Sequence, residues 1–312
     1  MLSRVASSLY WLSRYVERSD GILRMLKINY ASSQDTVQEF TWEPVIRIFS
    51  GQGHGEETEK LGNNSRAVIR YMVSGKNNPN SILSIITLAR ENARSVQEHI
   101  TKDLWQCLNE YYHTVKDIRL DNALKKDDPI SVLDVLIKQV MLYYGTVEIT
   151  MERGEGRSYM NIGKYLERGI QSVDILDTKF GSIDDNPDLL TDTTYWKHLL
   201  LSLGGYEIYL KTYREGFEAG NVLEQVVLNN DFPRSVIYSV NHIQRYFERL
   251  KNDSNIDDYR ELSFYIGRLQ SHIKYSSVKT IKDEGLHLFL TQIRSQLFGI
   301  GDALNNHYFA NS

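Results

Sequence analysis

One short segment occurs twice in this sequence, and the spacing of its two copies constrains the fold more than any other feature. Residues 10–26 read YWLSRYVERSDGILRML, and residues 159–176 read YMNIGKYLERGIQSVDIL. Each copy carries a Glu-Arg dipeptide, and the two dipeptides lie 150 residues apart, at positions 17–18 and 167–168. Apolar residues recur at helical spacing around both dipeptides, so each copy predicts a helix.

Further landmarks keep the same order at nearly the same spacing. Two pairs are separated by 154 residues: Trp42 with Trp196, and Pro79 with Pro233. Self-similarity at a fixed period indicates repeated copies of one structural unit. We therefore predict a first helical repeat over residues 1–150 and a second over residues 151–312. We expect the two repeats to form one compact domain with a shared core.

Two related helical units commonly pack about a twofold axis, as the subunits of a dimer do. Neighbouring residues on a helix point about 100° apart, so a Glu-Arg dipeptide cannot form a good ion pair with itself. Twofold packing would instead let Glu17 reach Arg168 and let Glu167 reach Arg18. We state this reciprocal pairing as a hypothesis.

The rest of the chain predicts an all-α fold. Helical spacing of apolar residues recurs over four further ranges: 81–100, 131–149, 235–250 and 285–304. Twenty tyrosines stand beside only five prolines, which suits long helices with half-buried faces. We predict a bundle of about ten to twelve helices, given the usual helix length, formed by an internal duplication.

Local signals predict where helices begin and where a loop lies. Asn or Asp stands shortly before four prolines, which predicts a helix start at each of them: Pro79, Pro129, Pro187 and Pro233. The Gly-rich residues 50–64 match neither a phosphate-binding loop nor a dinucleotide fingerprint, so we interpret them as an exposed loop.

Composition narrows the classes of partner and cofactor. The net charge is −4 and no basic block occurs, so we expect no nucleic-acid partner. No uninterrupted apolar run approaches the roughly 20 residues of a membrane span, so we expect no membrane partner. Cys107 is the single cysteine, which suits a reducing compartment and predicts a cytoplasmic protein. The eight histidines are scattered, and we expect neither a metal site nor a cofactor.

The opening segment, MLSRVASSLYWLSRYVERSDGILRML, resembles the start of the bacterial alpha-E family, a predicted all-helical domain named for its Glu-Arg motif. Four later stretches are similar too: WEPVI (42–46), NPNSILSIITLARENAR (78–94), TMERGEGRSYMNIGKYLERG (150–169) and FPRSVIYSV (232–240). The second copy of the motif segment departs from the first, with Asn161 and Lys164 in place of Trp11 and Arg14. The resemblance therefore covers essentially the whole chain, without strict symmetry between its halves.

The resemblance implies an accessory role. Alpha-E proteins are often encoded beside circularly permuted ATP-grasp proteins and transglutaminase-like proteases, in a context of ATP-dependent peptide-bond formation. We therefore expect an ATP-grasp-type ligase as partner, with a transglutaminase-like protein as a second. The implied process is peptide synthesis or tagging. No catalytic residue is carried over from the family.

The candidate site is built from the motif positions and nearby arginines. Its members are Glu17, Arg18, Glu167, Arg168, Arg14, Arg90 and Arg94, with Arg24 beside them. One interpretation is a charged cleft in which arginines grip a carboxylate or phosphate. The other is a buried salt-bridge network that fixes helix packing. Both stay open at this level.

Three functions follow from these interpretations. The first is a non-catalytic accessory protein acting with the ligase. The second is an enzyme acting on a peptide or amino-acid substrate through the Glu-Arg cluster. The third is a purely structural homodimer. We favour the accessory protein, because the arginines around Glu17 favour its ionised form and oppose an acid role. We interpret Cys107 as a small core residue.

Overall fold

The computed structural model describes residues 1–34, 41–50, 61–126, 128–180, 193–214, 216–251 and 256–309. Within these ranges the chain forms fifteen α-helices and no strand, which confirms the all-α prediction. The helix count exceeds the predicted ten to twelve. The additional helices are short, such as the five-residue Ala219–Leu223, and span too few turns to show a periodic apolar stripe.

The chain divides into two compact units. We call residues Trp11–Glu152 the N-unit, and Met1–Tyr10 together with Arg153–Ser312 the C-unit. The helices through the end of the N-unit are α1 (Ser3–Ser33), α2 (Glu43–Ser50), α3 (Ser65–Ser74), α4 (Ile82–Ser95), α5 (Lys102–Lys116), α6 (Ile118–Lys126) and α7 (Pro129–Thr150). A 3-10 turn at Gln97–His99 follows α4.

The C-unit contains the remaining eight α-helices and the start of α1. They are α8 (Glu155–Phe180), α9 (Thr193–Ser202), α10 (Tyr206–Thr212), α11 (Ala219–Leu223), α12 (Val236–Phe247), α13 (Ile256–Lys274), α14 (Val278–Glu284) and α15 (Leu286–Leu304). Short helical segments follow three of them, at Glu224–Leu228, Glu248–Leu250 and Asn305–Phe309.

The core of the N-unit forms where α5 packs against α4 and α7, and α3 packs against α4 and α6. Fully buried aliphatic side chains fill it, including Leu23, Ile86, Leu108 and Leu136. Removing such side chains from water is the main favourable contribution to folding. The buried Trp42 satisfies its polar atom by donating from Nε1 to Ser65 Oγ at 3.0 Å.

The core of the C-unit forms around α8, which packs against α12 and α15, while α13 packs against both of those helices. Leu166, Ile243, Leu269 and Leu297 are fully buried in it. One close approach depends on glycine: a Cβ placed on Gly163 of α8 would lie 2.3 Å from the Tyr10 carbonyl oxygen. Only a residue without a side chain fits there at this separation.

Helix starts follow the proline prediction only in part. Asp128 caps α7, with Pro129 in its first turn, as predicted. Pro79 and Pro233 lie outside their helices, which corrects the prediction. Ser81 caps α4, and Ser235 caps α12, through their side-chain hydroxyls. Serine accepts the free backbone N–H of the first turn, so the proline is not needed inside the helix. Pro187 and residues 51–60 lie outside the described residues.

Helix boundaries in the two units repeat at the spacing seen in the sequence. The first residue of α4 and that of α12 are 154 residues apart, and so are the first residues of α5 and α13. This agreement supports the proposed duplication. The duplication, its boundaries and the shared core stay predictions.

Helix α7 is distinguished by its length and apolar composition. In the part of the chain that the structure describes, it alone is long and apolar enough to cross a membrane by length and composition. Only 28% of its most apolar window is buried inside the protein. A search for uninterrupted apolar runs does not find this helix, because scattered polar residues break the run but lower its mean hydropathy only slightly.

Candidate functional site

The motif glutamate of the N-unit is sealed inside the protein. Glu17 lies on the buried face of α1, and none of its surface is exposed. Its carboxylate accepts a hydrogen bond from the hydroxyl of Tyr144 on α7. A buried carboxylate needs such donors, because an unpaired one carries a large desolvation penalty.

Two further side chains of α1 make polar contacts close to Glu17. Ser13 Oγ lies 3.0 Å from the Tyr143 hydroxyl, and the Tyr111 hydroxyl donates to Ser19 Oγ at 3.2 Å. Burial raises the pKa of both tyrosines, so both stay neutral at physiological pH. The motif helix is therefore tied to α5 and α7 by neutral, satisfied hydrogen bonds.

The motif arginine of the N-unit contacts the segment that leads into α4. Arg18 Nη1 donates to Asn80 Oδ1 at 3.5 Å, and Asn80 directly precedes the capping residue of α4. Arg14, one turn earlier, is buried, and its guanidinium lies 4.7 Å from the centre of the Trp11 ring. Arginine stacks well on aromatic faces, since its charge is delocalised and weakly hydrated.

The motif pair of the C-unit has a similar setting. Glu167 on α8 is 3% exposed. Arg168 Nη1 donates to the Pro233 carbonyl oxygen at 3.3 Å, in the segment that leads into α12. Ser172, one turn later, donates to the Arg234 carbonyl oxygen at 2.8 Å. Helix α8, which carries the second motif, is therefore hydrogen-bonded to the segment that leads into α12, the helix capped by Ser235.

An ion pair and a histidine–carboxylate contact join α8 to α15. Arg294 Nε lies 2.6 Å from Asp174 Oδ1, and His287 Nδ1 lies 2.7 Å from Asp177 Oδ1. Burial raises the pKa of Asp174, and the nearby Glu167 and Asp177 carboxylates act in the same direction, while Arg294 opposes them. These groups form a charged seam beside the second motif.

An aromatic cluster surrounds the second motif, and the sequence analysis missed it. We call Tyr165, Tyr238, His242 and Tyr246 the tyrosine–histidine cluster. The His242 ring lies 4.0 Å from the Tyr238 ring and 4.5 Å from the Tyr165 ring, centre to centre. The run from 238 to 246 on α12 places three of these rings one turn apart on one face of the helix.

Cations lie over this cluster. Lys164 Nζ is 4.3 Å from the centre of the Tyr165 ring, and the Arg168 guanidinium carbon is 5.4 Å from it. Burial lowers the pKa of His242, and the neighbouring cations Lys164, Arg245 and Arg168 lower it further, against the hydrogen bond to the Tyr238 carbonyl oxygen. His242 is therefore neutral at physiological pH.

Two other predicted arginines lie together on α4. Arg90 Nη1 and Arg94 Nη1 both pair with the carboxylate of Glu91, at 3.1 and 3.3 Å. Arg90 also donates to Asn109 Oδ1 at 2.7 Å. Arg94 is exposed. The structure thus brings Arg90 and Arg94 together, as their one-turn spacing predicts.

Outcomes differ among the other predictions on this site. The reciprocal pairing of Glu17 with Arg168, and of Glu167 with Arg18, stays a prediction. Arg24, offered as an extra cation, pairs with Asp20 at 3.0 Å on its own helix. The residues missed at the first motif are Tyr144 and Asn80, which lie far from it in the sequence.

The remaining chemical candidates are inert in this structure. Cys107 is buried, and burial raises the pKa of its thiol to about 11, so the thiolate is scarce at neutral pH. No group of three metal-ligating side chains occurs among the described residues.

Comparison with known proteins gives one family and several distant relatives. The Alpha-E family, described as a predicted alpha-helical domain with a conserved ER motif, matches residues 1–309. The chain is 20% identical over 277 residues to Uncharacterized protein Rv2567 of Mycobacterium tuberculosis (strain H37Rv) and to Uncharacterized protein Mb2597 of Mycobacterium bovis. Each match covers 80% of this chain and 30% of the relative, so the chain spans less than a third of either one's length. No solved structure matches.

Proposed function

The chain belongs to the Alpha-E family, and from that premise we propose that it is an accessory helical protein that acts with an ATP-grasp-type peptide ligase. The observation that carries the proposal is the family match over residues 1–309, because resemblance to this family implies an ATP-grasp-type ligase as partner. In the distant relatives the matched segment makes up 30% of the length, so it is joined there to a much longer stretch of other sequence.

The geometry of the first motif favours an accessory role over the enzyme alternative. A catalytic Glu17 would have to reach a substrate, yet its side chain is sealed and already bound by Tyr144. Arg18 is likewise engaged with Asn80. We therefore assign the Glu-Arg motif to the packing of α1, and the proposed process, peptide synthesis or tagging, to the ligase.

We assign the docking of the ligase to one face of α7. Four large apolar side chains, between 44% and 83% exposed, lie on this face: Val135, Met141, Leu142 and Ile149. They span about 120° of the helix surface, opposite the buried side. Large apolar side chains exposed on one helix face are a feature of interaction sites, and Lys138 on the same face gives the polar component usual for a protein interface.

Binding to the purified ATP-grasp-type ligase of the same organism tests this proposal. Wild-type protein should bind in surface plasmon resonance, and Leu142→Glu should weaken binding by about tenfold or more, because a charge would be buried at the interface. Leu288→Glu, an equally exposed leucine on α15, is the matched control and should bind as wild type does.

Three results would contradict the proposal. They are absence of binding by the wild-type protein, equal loss in both variants, and turnover of a peptide substrate by the purified chain alone. Binding of the α7 face to phosphatidylglycerol vesicles, lost in Leu142→Glu, would assign that face to a membrane instead.

A further inference from the structure

The N-unit contains a cavity that the motif does not use. Its volume is about 840 Å³, and it lies among α3, α4, α6 and the C-terminal turn of α5. Pockets for small molecules measure roughly 300–1,000 Å³ and have mainly apolar walls. Tyr71, Leu83, Tyr112 and Val115 supply such walls here. The cavity is therefore large enough for a ligand the size of a modified amino acid or a dipeptide.

Two ammonium groups line this cavity. Lys116 Nζ donates to the Tyr112 hydroxyl at 3.1 Å and lies 5.3 Å from the centre of its ring. Lys76 is exposed, and its side chain makes no ion pair or hydrogen bond with any residue that the structure describes. An anionic group in the cavity could thus meet two cations without breaking an existing ion pair.

The carboxylates of the cavity are already neutralised. Asp121 pairs with Arg70 and Lys125, both at 2.8 Å, and these pairs hold its pKa well below its usual range. Asp117 pairs with Arg119 at 2.6 Å. Neither carboxylate competes for the two lysines, and repulsion of an anionic ligand is correspondingly weak.

We propose that this cavity binds a small organic carboxylate with an aromatic or branched apolar body. The body would lie against Tyr71 and Tyr112, and the carboxylate would lie between Lys76 and Lys116. Phosphate groups are held best by arginine forks and free backbone N–H groups. Arg70, the arginine of the cavity wall, is engaged by Asp121, so a carboxylate fits better. This inference does not rest on the proposed function.

Fluorine NMR with one acid and its neutral counterpart tests the inference. The probes are N-acetyl-4-fluorophenylalanine, its carboxamide, and inorganic phosphate as competitor. The acid should bind saturably in the millimolar range or better, and the carboxamide more weakly by about tenfold, the usual effect of losing a charge-assisted contact. Phosphate at equal concentration should not displace the acid.

Variants locate the binding. Lys76→Met combined with Lys116→Met should weaken binding of the acid by about tenfold or more and leave binding of the carboxamide unchanged. Lys102→Met, at the opposite end of α5, is the matched control and should not change either probe. Equal binding of acid and carboxamide, equal effects of all lysine variants, displacement by phosphate, or no saturable binding would each overturn the inference.

Discussion

Lys27 of the N-unit and the residue 150 positions later in the C-unit both pair across helices, with opposite polarity. In the N-unit, Lys27 of α1 pairs with Asp134 of α7 at 2.6 Å. In the C-unit, Asp177 lies 2.7 Å from His287 of α15, a pair that is ionic when the imidazole is protonated. A ligand site would fix the sign of the charge, whereas helix packing needs only opposite signs. The reversal therefore favours a packing role for these pairs.

The motif arginines differ in a similar way. Arg18 donates to a side chain, Asn80 Oδ1, while Arg168 donates to a backbone oxygen, that of Pro233. Both acceptors lie just before a serine-capped helix. Both arginines thus reach the segment that precedes the serine-capped helix of their unit, although the acceptor atoms differ. This pattern favours a structural role for both contacts.

The largest expected effect comes from the buried motif glutamate of the N-unit. Glu17→Ala should lower the free energy of unfolding by about 3–4 kcal/mol, because it removes a sealed carboxylate and orphans its donor. Urea denaturation followed by circular dichroism measures the change. A loss below about 1 kcal/mol, close to the range of ordinary surface substitutions, would show that Glu17 is not part of a packing network.

Tyr144, which donates its hydroxyl hydrogen bond to Glu17, marks a difference between the two units. Residue 298, which is 154 positions after Tyr144, is Phe298 and has no hydroxyl. Tyr144→Phe should therefore lower stability by about 1–2 kcal/mol, the range for a hydrogen bond to a charged group. Phe298→Leu, which removes no hydrogen bond and changes an exposed residue, is the control.

The second largest effect is expected at Gly163, which stands 150 positions after Ser13. Helix propensity alone would make Gly163→Ala stabilising by about 1 kcal/mol. The 2.3 Å approach of its Cβ to the Tyr10 carbonyl oxygen should reverse the sign, with a net loss of about 2 kcal/mol.

Calorimetric melting of Gly163→Ala decides the sign. Ser13→Ala is the comparison in the N-unit: it creates no overlap and should lose only the bond to Tyr143, about 1 kcal/mol. A higher melting temperature for Gly163→Ala would refute the close packing of α8 on the start of α1.

Sequence reasoning reached the fold class and the long helices, because these depend on a periodic apolar pattern. The range 131–149 lies inside α7, and 285–304 differs from α15 by one residue. It failed on short helices and on the caps at Ser81 and Ser235. A cap depends on one hydroxyl reaching one N–H, and the nearby prolines gave a stronger local signal.

The site was less predictable than the fold. The motif positions were visible, but Tyr144 lies 127 residues after Glu17, and no local pattern connects them. The cavity was missed for a similar reason. Lys76 and Lys116 line the same cavity only because the turn after α3 and the end of α5 lie beside the same space, and each alone resembles an ordinary solvated lysine.

A smaller effect should distinguish the tyrosine–histidine cluster, which has no histidine counterpart in the N-unit: residue 88, 154 positions before His242, is Leu88. The pKa of His242 is lowered in the folded state, mainly by burial. A depressed histidine stabilises the fold above its unfolded pKa of about 6.5 and loses that contribution as pH falls. Wild type should therefore lose more stability between pH 7.5 and 5.5 than His242→Phe does.

Proton NMR titration of the His242 ring provides a direct measurement, with a midpoint expected below 6.5. A midpoint at or above 6.5, or equal pH dependence in wild type and His242→Phe, would place His242 in a more solvated setting than the structure shows.

The smallest expected effect tests the opposite polarity of the Lys27–Asp134 and Asp177–His287 pairs. Lys27→Asp should destabilise the N-unit by about 0.5–1 kcal/mol, since it places like charges together at a half-exposed site. Adding Asp134→Lys should restore most of that loss, because the double variant reproduces the polarity of Asp177 and His287. A double-mutant cycle in urea measures the coupling. If the double variant stays as unstable as the sum of both single variants, the sign at this position matters in itself, and a packing role alone does not explain the pair.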